Sequence, residues 1–278
     1  MEPSHKILVV ISHGYYSPWI DIALSGQDKT WLAGDIPSNV EILHYHGTPL
    51  GRLGLLLDKF HERVRWSNRF GYALLKQFDS VVTFPFLAMI PPSTPSELLF
   101  LRHKTIHVKW PDSYLTFRWK ARGMFKYILD NYDFDFLFMT TTSSYIRLDE
   151  LSRLLSSKTP IRFLGGATAY SGANFAAGSN RVLSRDLVQN LLKDSKSYLP
   201  FPIEDLSMSK SLMEGGVKLV RLPHLDISSL TALEQLSDSE LISHYHFRLK
   251  SGSLNNRGDV AIMNALHERF VRIANVSE

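Results

Sequence analysis

The run from Phe134 to Met139 is almost wholly apolar, and five consecutive hydroxyl side chains, Thr140 to Ser144, follow it directly. A short, continuous apolar run suits a strand buried on both faces, as strands of parallel sheets are. The stretch around it, Tyr132 to Leu151, closes on Leu148-Asp149-Glu150-Leu151, which opens a helical pattern. A strand buried on both faces and leading into a helix belongs to an α/β architecture. In open α/β sheets, ligands occupy the crevice beyond the carboxyl ends of the strands. The hydroxyl cluster stands at that end, so it is the first place to look for a bound nucleotide.

The rest of the chain supplies the other layers. Lys6 to Ser12 reads as a first buried strand, too short for the apolar core of a signal peptide. His13-Gly14 then makes a turn suited to close backbone approach by a ligand. Val40 to Tyr45, Ser80 to Phe84, Thr105 to Val108, Ile161 to Leu164, Val217 to Val220 and Ile242 to Phe247 read as further strands. Helices are expected from Tyr114 to Asn131, after the turn and cap Pro111-Asp112-Ser113, and across Val182 to Val188 with Ser184 as N-cap. Another opens at Pro202-Ile203-Glu204-Asp205-Leu206 and ends at Gly215-Gly216. Strands alternating with helices predict a central, mostly parallel sheet flanked by helices. No repeat, linker or low-complexity tract divides the 278 residues, so residues 1–278 are expected to form one domain.

Composition excludes more than it selects. The formal charge of +4 suits phosphate-bearing ligands or an anionic membrane surface without choosing between them. The absence of cysteine rules out disulfides and thiol chemistry. No run approaches the roughly 20 apolar residues of a membrane helix. From Leu50 to Phe78 the pattern is helical and basic, with Arg52, Lys59, Arg63, Arg65, Arg69 and Lys76 among Leu, Phe and Trp. Such a helix either turns a solvated charged face outward or lies on anionic lipid. Gly165, Gly166, Gly172 and Gly178 lack the spacing of a dinucleotide-binding or P-loop fingerprint, which argues against dehydrogenases and NTPases. No basic, aromatic-interleaved motif points to nucleic acid.

One ordered set of motifs is more specific. Asp112, Tyr114 and Lys120 precede the central strand, and Gly178 precedes Val182-Leu183-Ser184-Arg185-Asp186-Leu187. Glu204-Asp205-Leu206 and Ser243-His244-Tyr245-His246-Phe247 follow. In order and approximate spacing, from about His103 to Phe247, this set resembles the core of the fringe and beta-1,3-galactosyltransferase family, whose fold is GT-A. The resemblance implies a single GT-A-like, Rossmann-like domain. It also implies inverting transfer of a sugar from a nucleotide sugar, with UDP the expected nucleotide, to a glycan or lipid-linked acceptor. The family's catalytic aspartate falls on Asp205, with Glu204 beside it; the alternative for this pair is simple complementation of a helix dipole. The animal members carry membrane anchors and disulfides. This chain shows neither, so the expectation is a cytoplasmic protein, peripheral to the inner membrane through residues 50–78.

The sequence departs from that pattern at one informative point. The family's Asp-Asp-Asp, which holds a divalent cation on the donor diphosphate, falls here on Thr141, Thr142 and Ser143. Hydroxyls are much poorer ligands than carboxylates for Mn2+ or Mg2+, so no metal ligand is assigned and metal dependence is doubtful. Asp133 and Asp135 form a literal Asp-x-Asp, but they precede the strand and fall at the wrong end of the sheet. Cationic side chains can offset absent carboxylates at a departing diphosphate. Arg147, Arg248 and Lys250 are the candidates, alongside His13, Lys120, Gly178 and the hydroxyls of Thr141 to Ser143. His244 and His246, two apart on the expected late strand, would share one face and reach phosphate. His44, His46, His103 and His107 show no partner pattern and read as structural. Trp110, Trp119, Tyr170 and Phe175 could stack on a sugar or pack in the core. Two functions stay open: a glycosyltransferase, and a GT-A-like nucleotide-sugar or glycan-binding protein that has lost catalysis.

Overall fold

The computed structural model describes residues 5–14, 17–48, 96–100, 103–112, 117–168, 174–194, 204–249, 251–252 and 257–277. The expected helix at 50–78, the strand Ser80 to Phe84, and Tyr114, Tyr170 and Lys250 lie outside them. The described strands are β1 (Ile7–Ser12), β2 (Val40–Thr48), β3 (Ser96–Phe100), β4 (His103–Pro111), β5 (Phe136–Thr141), β6 (Ser144–Ile146), β7 (Leu164–Thr168), β8 (Ala176–Ser184), β9 (Leu219–Arg221), β10 (His224–Ile227) and β11 (His246–Leu249). The helices are α1 (Trp19–Ser25), α2 (Phe117–Asn131), α3 (Leu148–Ser156), α4 (Arg185–Lys193), α5 (Glu204–Glu214), α6 (Leu230–Glu234), α7 (Asp238–Ile242) and α8 (Asp259–Ser277), with a single 3-10 turn at Gln27–Lys29.

The main sheet runs β3-β4-β2-β1-β5-β8-β7-β9, and β10-β11-β6 form a smaller one. β1 is central because nothing in it resists burial. Ile7, Val9 and Ile11 pack on one face with Phe136, Phe138 and Val182. Leu8 and Val10 pack on the other with Leu43, Tyr45, Leu137 and Met139. Both neighbours of β1 run parallel to it, with Ile7 opposite Val40 and Phe136. Of the strands described in the main sheet, β3 and β8 alone run against the rest. The result is an α/β fold with a mostly parallel central sheet.

Helices cover both faces through ordinary amphipathic spacing. Leu187, Val188 and Leu191 of α4 and Ala121, Met124, Phe125 and Ile128 of α2 cover one face. Leu148, Leu151 and Leu155 of α3, Ile262, Met263 and Leu266 of α8, and the small sheet cover the other.

Several boundaries differ from the sequence reading, each for a local reason. The strand expected at Ile161 starts at Leu164, because Ile161 is 65% exposed and Arg162 takes a left-handed φ of 53°. Val182 to Ser184 do not open a helix; they end β8, where Val182 and Leu183 pair with Phe138 and Leu137. Ser184 holds the N-cap position of α4, yet its hydroxyl donates to Asp186 Oδ1 and accepts from the Phe163 amide instead of capping. The last expected strand begins at His246 instead of Ile242, since the capping box Ser237/Glu240 commits Asp238 to Ile242 to α7.

Candidate active site

The parallel strands end along one edge, and several of the sequence candidates lie there. Ser12 lies opposite both Tyr45 and Thr141, so His13 and the hydroxyl turn leave the sheet as neighbours. β5 ends at Thr141, Thr142 and Ser143 turn, and Ser144 enters β6. Thr142 and Ser143 are 1% exposed, whereas Thr141 is half-buried. The turn is held from both sides. Gln27, itself fully buried, donates through Nε2 to the carbonyls of Thr141 (3.2 Å) and Ser144 (3.1 Å). The amide of Leu249 donates to the carbonyl of Ser143 at 2.8 Å.

Two guanidinium groups reach the same turn. Arg248 Nη1 donates to Thr141 Oγ1, and Arg257 Nη2 donates to Ser143 Oγ at 3.0 Å. Arg257 also makes a two-point ion pair with the buried Asp259 carboxylate, Nε at 2.9 Å and Nη2 at 2.5 Å, and lies 4.9 Å over the Trp19 ring. Arg257 escaped the sequence reading; the only signal was Asp259 at a helix start, two residues later. His246 Nε2 is 3.1 Å from the Ser144 hydroxyl, and burial with Arg248 nearby holds its imidazole well below the usual range. His246 is therefore neutral.

The acidic pair divides. Glu204 turns inward onto the fully buried Arg181, with Oε1 2.6 Å from Nη2. Burial pushes its carboxyl up against the pull of that guanidinium. Held this way, Glu204 is not positioned to serve an acceptor, contrary to its place beside Asp205 in the sequence reading. Asp205 stays half-buried at the sheet edge, and its Oδ2 receives the backbone N–H of Gly178 at 3.4 Å. One turn on, the Ala176 amide donates to Ser209 Oγ at 3.2 Å, so β8 fastens α5 at two points. The next residue after Gly178, Ser179, accepts from Thr140 Oγ1 at 2.9 Å, which links Asp205 to the hydroxyl cluster through one strand. Leu206 faces a separate open hollow of ≈ 370 Å³ with Asn174, Lys210, Met213 and Glu214.

Other candidates are placed elsewhere or otherwise engaged. Arg147 donates to the Ile242 carbonyl at 2.7 Å, lies 3.4 Å from Glu150 and sits 5.1 Å over the Phe270 ring; it braces α7 against α3 and α8. His244 lies before β11, not on it, and its Nδ1 is 2.7 Å from the Glu240 carbonyl at the end of α7. The shared-face argument for His244 and His246 therefore fails. Lys120 is buried in an ion pair with Asp112 beneath the backbone of Gly47, where an added Cβ would come within 2.7 Å of the lysine Cδ. Trp110 and Trp119 stack on each other at 5.7 Å, and Phe175 is buried. Asp133 and Asp135 take Lys6 and its amide at the far end of β5.

His13 belongs to a layer that the sequence did not show. Its ring lies 5.5 Å from His44 and 5.4 Å from His46, while His44 approaches His103 at 6.0 Å and His46 approaches His107 at 5.1 Å. Burial is the main cause that holds His13 down to about 4 and His44 well below the usual value.

The cation implied by the family resemblance does not suit these residues. The three triplet positions offer hydroxyls, two of which already accept from guanidinium groups. A divalent ion placed there would meet two guanidinium groups and find only hydroxyls, poor ligands for a hard cation, at the triplet itself. Among the described residues, no cluster of three His, Asp or Glu side chains converges to hold a metal.

No family model and no curated protein matches the sequence. Solved structures similar in fold include a mannosyltransferase from Pyrobaculum calidifontis in complex with GDP-Man and Mn2+, with 12% identity over 80% of this chain and a TM-score of 0.42. The chain spans about half of that protein, 55%. A glycosyltransferase involved in glycosylation of the major capsid of PBCV-1 gives 8% identity, 94% and 98% coverage and a TM-score of 0.41. Mouse xyloside xylosyltransferase 1 gives 10% identity, 90% and 98% coverage and 0.42. At TM-scores below 0.5, function has to be argued from the residues themselves.

Proposed function

We propose that this chain transfers a sugar from a nucleotide sugar, UDP-linked, to a carbohydrate or glycolipid acceptor, with inversion at the anomeric carbon. Asp205 is the base that takes the proton of the acceptor hydroxyl. The observation that carries this reading is the link from Asp205 through Gly178 and Ser179 to Thr140, which joins the acidic residue and the hydroxyl-tipped strand at one sheet edge. A carboxylate half-open to solvent beside a site that can receive a diphosphate is what such a displacement requires. A cytoplasmic chain that touches a membrane through residues 50–78 belongs to the same proposal and is motivated by their basic pattern.

Release of UDP from a panel of UDP-sugars and glycan acceptors tests the reaction. Asp205→Asn should lower turnover about 10²- to 10⁴-fold, the usual contribution of a general base. Turnover that survives this change removes Asp205 from the mechanism. A second reading, nucleotide-sugar binding without transfer, is favoured by the burial of Thr142 and Ser143. Donor binding with no transfer to any acceptor on the panel would select it.

A further inference from the structure

We propose that the buried Arg181–Glu204 pair positions the base: it fixes the first turn of α5 against the sheet, and with it the direction of the Asp205 carboxylate. The inference rests on the reading of Asp205 above and adds the residues that aim it.

The pair is poorly built for stability alone. Arg181 is fully buried in β8, opposite Met139 of β5 and Gly166 of β7. Its Nη2 donates to Glu204 Oε1 at 2.6 Å and lies 3.6 Å from Met139 Sδ. Nε and Nη1 are buried and, among the described residues, meet no acceptor. Stripping water from a guanidinium and a carboxylate is costly, and an apolar pair of similar volume is often as stable or more so. Donors left unmatched add to that cost. Direction is what the ion pair supplies, and the direction concerns the next residue along the helix.

Both carboxylates gather over one glycine. Glu204 Oε2 lies 3.8 Å from the point where a Cβ on Gly178 would stand, and Asp205 Cβ and Oδ2 lie 3.9 and 4.0 Å from the same point. Glu204 is turned onto Arg181, while Asp205 stays half-buried. Asp205 is held by backbone amides, Gly178 to Oδ2 at 3.4 Å and its own neighbour Leu206 to Oδ1 at 2.9 Å. The first of these is long, and the second lies within α5 and cannot fasten the helix to the sheet. A short charge-assisted contact is the stronger tie, and it sits one residue away. Met139 stands two residues before Thr141, so Arg181 also joins the base to the strand that carries the hydroxyl turn. A reacting group displaced by about 1 Å loses on the order of 10²-fold in rate.

Kinetics of an Arg181→Met/Glu204→Leu double variant beside Asp205→Asn test this role, with kcat and donor KM read by UDP release, UDP affinity by calorimetry, and Tm. The double variant replaces the ion pair by apolar side chains, so Tm should hold or rise. Its kcat should fall about 10²-fold while UDP affinity stays within about threefold of the parent. Glu204→Asp keeps both charges and shortens the reach by one methylene. It should lower kcat about tenfold at unchanged UDP affinity, and it decides the matter if the double variant does not fold. A pair that served stability alone would move Tm and leave kcat of the folded protein as it was. Parental kcat in either folded variant, with Asp205→Asn inactive, overturns the positioning role and leaves the glycosyltransferase reading standing. A fall in kcat matched by an equal loss of UDP affinity does the same. Turnover that survives Asp205→Asn, or that the parent chain lacks, overturns both.

Discussion

Acidification should destabilise this protein through its buried histidines, by an amount that can be worked out. A free histidine titrates at 6.5, whereas His13 in the fold titrates at about 4, chiefly because burial penalises its cation. Between those values the unfolded chain binds a proton that the folded chain refuses, so stability falls as pH drops through 6.5 and levels off below about 4. For His13 the loss between pH 7 and pH 5 is about 1.8 kcal/mol. His44, fully buried and held well below its usual value by burial, acts in the same direction. The His13 contribution alone is a sizeable part of a typical total stability of about 5–15 kcal/mol. Burial lowers His46 too, which adds in the same direction. Urea unfolding followed by tryptophan fluorescence at pH 7 and pH 5 measures the loss. Carboxylates also titrate there, so His13→Asn and His44→Leu serve as controls, the first flattening the dependence by about 1.8 kcal/mol and the second flattening it in the same direction. A slope in either variant equal to that of the parent would refute the assignment.

The two members of the acidic pair should separate in stability measurements. Glu204→Gln leaves Arg181 as a fully buried unpaired cation and should cost about 3–5 kcal/mol in urea unfolding, while Asp205→Asn should cost under about 1 kcal/mol. Equal losses would mean that Glu204 and Asp205 share one environment. Gln27→Leu deletes both bonds to the hydroxyl turn, and should lower stability by about 1–3 kcal/mol and weaken UDP binding more than Asp205→Asn does. Unchanged UDP affinity in Gln27→Leu would show that the turn keeps its shape without it.

Burial on both faces made β1 and β5 legible, since a run such as Ile7 to Ile11 has no other stable place in an α/β protein. The hydroxyl tip of β5 and the acidic start of α5 were legible for the same kind of reason, as polar residues at the ends of strongly patterned elements. β8 was not, because Ala176 to Asn180 has no alternation and its partners are distant in sequence. The histidine layer was invisible because register, not spacing, assembles it: His46 meets His107 only when β2 lies beside β4. His244 and His246 illustrate the reverse error, a period-2 reading defeated by α7 and its cap, which take Ile242 and Ser243 and delay β11 to His246. Arg181 carried no local signal and Arg257 only that of Asp259 two residues on; the rest of their meaning comes from Glu204 and Ser143, which reach them from other elements.

The reversed direction of β8 has a consequence for how Asp205 is steered. β8 begins where its parallel companions finish, and the amides of Ala176 and Gly178 grip Ser209 and Asp205 there. The aspartate is thus tethered to peptide groups whose identity no side chain sets. A Cβ at Gly178 would meet its nearest neighbours at 3.8–4.0 Å, ordinary contact distance, so alanine there should leave the tether intact while proline would cut it.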